Sequence, residues 1–140
     1  MALPVSGGGY QYSDGNINEM LLTSVSAPAT AAGDATLTAA QLLNGIIIGS
    51  PGSSAAAYTL PTVANLETAL PNARVGSAFD FTVINADGSG SGVITITTNT
   101  GWSIGTSGSQ GLMTVTTAGT AQLYRARKTG DGAWSLYRVG

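Results

Sequence analysis

Short runs of β-branched and aromatic residues, separated by turn signals, fill most of the chain after residue 36. Phe79, Phe81 and Val83 alternate with polar residues, which is the pattern of a half-buried strand. The stretch Thr129–Gly132 between the last two runs predicts a hairpin turn. Strands this short and closely spaced predict an all-β fold, an antiparallel β-sandwich or barrel of jelly-roll type. The predicted strands lie at residues 46–48, 58–60, 79–83, 93–98, 102–104, 112–116, 121–128 and 134–139.

One short helix is expected to interrupt the strands. Val63, Leu66 and Leu70 repeat at helical spacing between two prolines, and these apolar residues should close one end of the sandwich. A single helical turn is expected earlier in the chain, with Thr38 as its N-cap and Gly45 just beyond its end. The fold class is therefore a β-sandwich with one real helix.

Residues 1–35 differ from the rest of the chain because they show no sustained period of 2 or 3.6. They nevertheless contain apolar residues that would be stabilised by packing on another surface. We expect an extended N-terminal arm over 1–35, ordered by a partner, followed by a β-sandwich domain over 36–140. The candidate binding residues of the arm are Leu3, Val5, Tyr10, Tyr12, Ile17, Met20, Leu21 and Leu22.

The chain contains no His and no Cys, and 9% of its residues are charged. It therefore lacks the commonest general base, the most reactive nucleophile and the usual transition-metal ligands. Ser103, Ser107 and Ser109 have no His to activate them, and the sequence does not fix the separation of Asp80 and Asp87. We expect no enzyme, no metal site and no cofactor.

Charge is divided unevenly along the chain. Residues 1–73 carry four acidic residues and no basic one, whereas residues 74–140 carry five basic residues and three acidic ones. Four of the basic residues, Arg125, Arg127, Lys128 and Arg138, lie close to the C-terminus. They are too few for a nucleic-acid-binding surface. The sequence favours instead that these residues lie on solvated strand faces, or that they form salt bridges to the acidic half of a neighbouring subunit.

No membrane association and no signal peptide are expected. The longest aliphatic run is Ile46–Ile48, which is far too short to span a bilayer. We interpret this run as a buried strand. The first residues of the chain lack the basic and apolar segments of a secretory signal.

Two motifs are similar to ligand sites but favour turns. Asp14–Asn18 alternates oxygen-bearing side chains as a calcium loop does, yet Glu19 stands where the turn glycine belongs. Gly88–Gly92 offers backbone N–H groups to a phosphate, yet it lies between two strands and contains no Lys. The first motif is expected to be a turn in the arm, and the second a hairpin loop.

The last hairpin carries three aromatic residues, Tyr124, Trp134 and Tyr137. Together with Arg125 or Arg127 they would make a platform for stacking on a sugar or a base. Packing in the core or between subunits is the more frequent role of such residues. The sequence therefore favours packing and leaves ligand stacking as an alternative.

Five stretches of the chain carry a resemblance to a known group of proteins: Leu37–Gly45, Tyr58–Thr62, Leu66–Leu70, Gly76–Asn85 and Trp134–Arg138. Their order resembles small β-sandwich proteins of tailed-bacteriophage virions, among them capsid decoration or cement proteins. The resemblance covers residues 36–140. It combines a Leu-Pro helix opening with a Phe-x-Phe strand and a closing hairpin that contains Trp.

The resemblance implies a jelly-roll-like domain that forms a homotrimer and attaches to a shell. The implied partner is the major capsid protein, and the implied location is the virion, on the outer surface of the capsid. The function expected is that of a structural decoration or cement protein that stabilises the shell. A receptor- or glycan-binding module of a tail or fibre is the alternative, and a polysaccharide-degrading enzyme is a third interpretation.

Overall fold

The computed structural model describes residues 24–87, 92–104, 113–116 and 118–140. Within them the chain forms ten strands and two helices. In chain order these are β1 (Ala29–Ala32), β2 (Ala35–Thr36), α1 (Ala39–Asn44), β3 (Ile46–Ser50), β4 (Ala56–Thr59), α2 (Val63–Ala69), β5 (Ala78–Asn85), β6 (Ile94–Thr97), β7 (Trp102–Ser103), β8 (Thr114–Val115), β9 (Ala121–Gly130) and β10 (Ala133–Arg138).

The strands form two mixed sheets. One sheet has six strands in the order β1-β3-β5-β9-β10-β7, and the other has four in the order β2-β4-β6-β8. From β1 to β8 the chain alternates between the sheets, strand by strand. The prediction of a mostly β, sandwich-like fold is confirmed in this form.

The prediction of antiparallel pairing is wrong for about half of the paired residues that the structure describes. Five of the eight strand pairings are parallel: β1 with β3, β3 with β5, β2 with β4, β4 with β6, and β7 with β10. Only β5 with β9, β9 with β10, and β6 with β8 are antiparallel. Parallel neighbours need a crossover connection. For the four parallel pairs between β1 and β6, the chain leaves one sheet, forms a strand in the other, and returns in the same direction. The parallel neighbours β7 and β10 are instead connected through β8 and β9.

Both helices have the local signals that the sequence shows, and both are regular. Thr38 caps α1 by accepting a hydrogen bond from the Gln41 backbone N–H, while the Gln41 side chain accepts from the Thr38 N–H. Gly45 ends α1 with a left-handed backbone (φ 93°), which glycine adopts without strain. Thr62 caps α2 by accepting a hydrogen bond from the Asn65 backbone N–H at 3.3 Å. The described part thus has two helices, because the helical turn predicted between Thr38 and Gly45 forms a six-residue helix between these same residues.

Part of the predicted arm belongs to the sheets. β1 pairs with β3, and β2 pairs with β4. The boundary predicted between residues 35 and 36 therefore falls inside β2. The predicted arm residues, Leu3, Val5, Tyr10, Tyr12, Ile17, Met20, Leu21 and Leu22, lie outside the described residues.

The core lies between the two sheets and under α1 and α2. Phe81 stacks on Tyr124 with ring centroids 5.5 Å apart, and both residues are fully buried. Gly49 allows a close approach of the sheets, because a methyl group on its Cα would lie 2.6 Å from the hydroxyl oxygen of Tyr58. That hydroxyl donates instead to the Ala31 carbonyl oxygen at 2.9 Å. The inner face of the six-stranded sheet is thus filled, and its outer face carries the exposed residues of β5 and β9.

Candidate functional site

The outer face of the six-stranded sheet carries an apolar band. We define the band by Ile46 and Ile48 on β3, Ile84 on β5, Leu123 on β9, and Val139 just after β10. Ile48 pairs with Ile84, Ile46 and Leu123 both pair with Thr82, and the Val139 N–H donates to the Leu123 carbonyl. Strand neighbours of the band such as Ile47, Val83 and Tyr124 are fully buried, so alternation places the band on the opposite face.

The apolar band was not predicted from the sequence. Ile46–Ile48 was interpreted as a buried strand, but only Ile47 is buried, while Ile46 is 41% exposed. The correction follows from strand geometry: in any run of three residues, the outer two face away from the middle one. Val139 at the far side of the band is 49% exposed. A contiguous apolar patch of this kind marks an interaction surface.

A charged end lies beside the band on the same face. Asp80 and Arg125 are opposite each other on β5 and β9. The Arg125 guanidinium donates to both carboxylate oxygens, from Nε at 2.7 Å and from Nη2 at 2.8 Å. This pairing holds the pKa of the Asp80 carboxyl below its usual value and raises that of Arg125. Because both side chains are exposed, the pair orients Arg125 more than it stabilises the fold.

A second polar cluster ties α2 to the last hairpin. Glu67 Oε1 on α2 accepts hydrogen bonds from Lys128 Nζ at 2.9 Å, from Trp134 Nε1 at 3.2 Å and from the Gly132 N–H at 3.2 Å. Lys128 also contacts Asp131 at 3.4 Å. The hydrogen bond from Lys128 is the main reason that the pKa of Glu67 is lowered, and that of Lys128 is raised in turn. All donors converge on one oxygen, so the cluster is a structural link.

The aromatic residues of the hairpin lie mostly in the core. Trp134 is 1% exposed and sits 5.8 Å from Phe79 and 6.3 Å from Trp102, measured between ring centroids. Tyr124 is fully buried, and this burial raises its pKa to about 12. The stacking alternative is therefore wrong for these two residues. Tyr137 remains on the outer face, opposite Arg125.

One apolar recess opens beside Trp134. It has a volume of about 370 Å³ and lies between the end of α2 and the start of β5. Its lining residues are Ala69, Leu70, Pro71, Asn72, Ala73, Ser77, Ala78, Phe79 and Trp134. None of these side chains titrates near neutral pH. The recess can therefore hold an apolar group but offers no acid or base.

The carboxylates considered from the sequence do not form a pair. Asp80 lies on β5 and Asp87 lies two residues beyond its end. Seven residues of extended chain separate the two groups by about 20 Å, which is beyond the range that glycoside hydrolysis uses. Within the described ranges, no three His, Cys, Asp or Glu residues are grouped so that they could hold a metal ion. No helix there is long and apolar enough to cross a membrane.

Several other candidates lie outside the described residues. These are the calcium-like stretch at 14–18, most of the glycine loop at 88–92, and the serines at 107 and 109. Ser103 is described at the end of β7, paired with Ser135 on β10. The structure thus brings together the apolar band and the charged end, and it separates the two aspartates.

The Glu67 cluster predicts sensitivity to acid. Because the pKa of Glu67 is lowered in the folded protein, its contribution to stability is present above the ordinary pKa of 4.5 and is lost as pH falls through the folded value. We expect the melting temperature to fall with pH below about 4.5, and to fall less steeply in Glu67→Gln. Asp80→Asn is the control, because its pair is exposed. Thermal melts between pH 3 and pH 7 in which Glu67→Gln follows the parent curve would contradict this assignment.

Comparison of the chain with protein-family models, with curated proteins and with solved structures gives no match.

Proposed function

We propose that this protein is a structural virion protein of a tailed phage, a capsid decoration or cement protein that binds and stabilises the shell as a trimer. The observation that carries the proposal is the apolar band on the outer face of the six-stranded sheet. A cement protein holds adjacent shell subunits together by burying surface across their boundary. The band, with few charges around it, suits that task.

The energetics of burial support this use of the band. Apolar surface removed from water contributes about 25 cal/mol per Å², and a surface without unpaired charges avoids a large desolvation cost. Ile46 and Val139 are the most exposed members of the band. They therefore have the most to gain from a partner surface.

The proposal names the major capsid protein as partner and the outer surface of the capsid as location. Three copies in a trimer would present three bands, and binding of one would raise the effective concentration of the others at their sites. The jelly-roll-like shape that the resemblance implies belongs to the same proposal. The two mixed sheets support the two-layered architecture in this proposal, but they do not support a jelly-roll order of strands. No catalytic role is assigned.

Attachment to the shell is expected to be lost when the band is made cationic. Ile46→Lys and Leu123→Lys each place a charge where a partner surface would bury it, which costs far more than an exposed charge does. Thr98→Lys is the matched control, because Thr98 is exposed beyond β6 on the other sheet. Cosedimentation with shells stripped of this protein measures the effect.

All three lysine variants should melt as the parent does, because the changed side chains lie outside the core. If both band variants still cosediment with the shells, the proposal that the apolar band binds the shell is wrong. Light scattering that finds a stable monomer, together with isolated single copies on particles, would overturn the trimer.

A further inference from the structure

A second feature of the outer face is an open depression at its charged end. The depression has a volume of about 550 Å³. Ala78 on β5 lies opposite Arg127 on β9. Gly76, Ala78, Phe79, Asp80, Arg125 and Arg127 line it.

Arg127 has no acidic partner in the described part of the chain. The ion pairs of Arg125 and Lys128 use Asp80, Glu67 and Asp131 as their acidic partners, and Arg127 takes part in none of them. The Arg127 guanidinium extends over the loop before β5, since a methyl group on Gly76 would lie 4.0 Å from Nη2. Its planar donors are exposed to solvent at the edge of the depression.

Arg125 is held in a fixed orientation beside it. Asp80 accepts from Nε and Nη2 of Arg125, so the donors of Nη1 are not used by this pair. The charges of Arg125 and Asp80 cancel, which leaves one uncompensated positive charge at Arg127. The depression therefore matches a group with a single negative charge at Arg127.

A carboxylate fits this charge better than a phosphate. Guanidinium groups bind carboxylates and phosphates alike with two parallel hydrogen bonds, but the second negative charge of a phosphate would be repelled by Asp80. The Asp80 oxygens keep lone pairs beyond those used by Arg125, and these can accept from hydroxyl groups. A ligand unit that carries one carboxylate and several hydroxyls can bind Arg127 through the carboxylate and Asp80 through a hydroxyl.

We propose that the depression binds a carboxylate-bearing saccharide, with the sugar carboxylate on Arg127 and a sugar hydroxyl on Asp80. An acidic peptide fits less well, because it offers few hydroxyl donors for Asp80. The site goes beyond shell attachment and does not rest on it. Through this depression the protein would contact an acidic polysaccharide.

Calorimetric titration of the purified full chain with an oligogalacturonate tests the proposal. We expect binding of this ligand, and much weaker binding of a neutral malto-oligosaccharide and of an oligoglutamate with the same number of carboxylates. Arg127→Gln should weaken binding about tenfold or more, as expected for the loss of a charge-assisted hydrogen-bonded pair. Arg74→Gln is the charge-matched control, because Arg74 is exposed and does not line the depression.

Asp80→Asn separates a specific site from general attraction between charges. If binding were only attraction to positive charge, removing this carboxylate would strengthen it. The proposal requires weaker binding, because Arg125 loses its fixed orientation and the hydroxyl loses its acceptor. Melting curves of each variant show whether the fold is retained.

Three results would overturn the proposal: no binding of the oligogalacturonate, equal losses in Arg127→Gln and Arg74→Gln, or stronger binding by Asp80→Asn. Equal, Arg127-dependent binding of the oligoglutamate would assign the depression to an acidic peptide instead. None of these results bears on the cement proposal, because the lysine variants of the apolar band test that by shell attachment.

Discussion

Replacing Leu66 by Asp is expected to unfold the domain. Leu66 lies on the inner face of α2 and is fully buried in the core. A carboxylate there would have no partner, and burying it without one costs several kcal/mol. Natural domains are stable by only about 5–15 kcal/mol, so a loss of this size removes most of the folded population. Circular dichroism should show no cooperative thermal transition.

Ala64→Asp is the matched control for this substitution. Ala64 is exposed in the first turn of the same helix, where a negative charge interacts favourably with the helix dipole. We expect this variant to melt as the parent does. A Leu66→Asp protein with the parent's melting temperature would show that α2 does not close the core.

The local elements could be predicted because their signals are local. Thr38 and Gly45 at the ends of α1 act through hydrogen bonds to residues within four positions. The alternation at Phe79 and Phe81 and the turn before β10 depend equally on near neighbours. Each of these elements appears in the structure where the sequence places it, within a few residues.

The pairing of the strands could not be predicted in the same way. Side chains alternate between faces in parallel and in antiparallel strands alike, so periodicity does not reveal strand direction. The direction follows from the alternation of the chain between two sheets, which long-range packing decides. Ile46–Ile48 shows the same limit, because an apolar run does not reveal whether one of its faces or both will be covered.

The polar contacts of the candidate surface also could not be predicted from the sequence. Asp80 and Arg125 are 45 residues apart, and Glu67 and Trp134 are 67 residues apart. The sequence suggests Asp87, a neighbour along the chain, as the partner of Asp80, whereas Arg125, its neighbour across the sheet, is the partner in the structure. Only the register of β5 against β9 makes the true partner evident.

Replacing Trp134 by Ala is expected to cost about 3–5 kcal/mol, which is typical when a buried Trp is truncated. Its ring lies between Phe79 and Trp102. Trp134→Phe keeps a smaller ring there and loses the hydrogen bond to Glu67, so its loss of stability should be clearly smaller than that of Trp134→Ala. Chemical denaturation of both variants measures the difference.

The same two variants decide between packing and ligand binding at the hairpin. If Trp134 acts through packing, Trp134→Phe should keep both shell attachment and saccharide binding at the parent's level. Trp134→Ala should lose them only where it unfolds. The opposite result, a Trp134→Ala protein within about 1 kcal/mol of the parent's stability that no longer binds its partner, would make the buried tryptophan part of a binding surface. It would also mean that the recess beside Trp134, and not the outer face, is the site of contact.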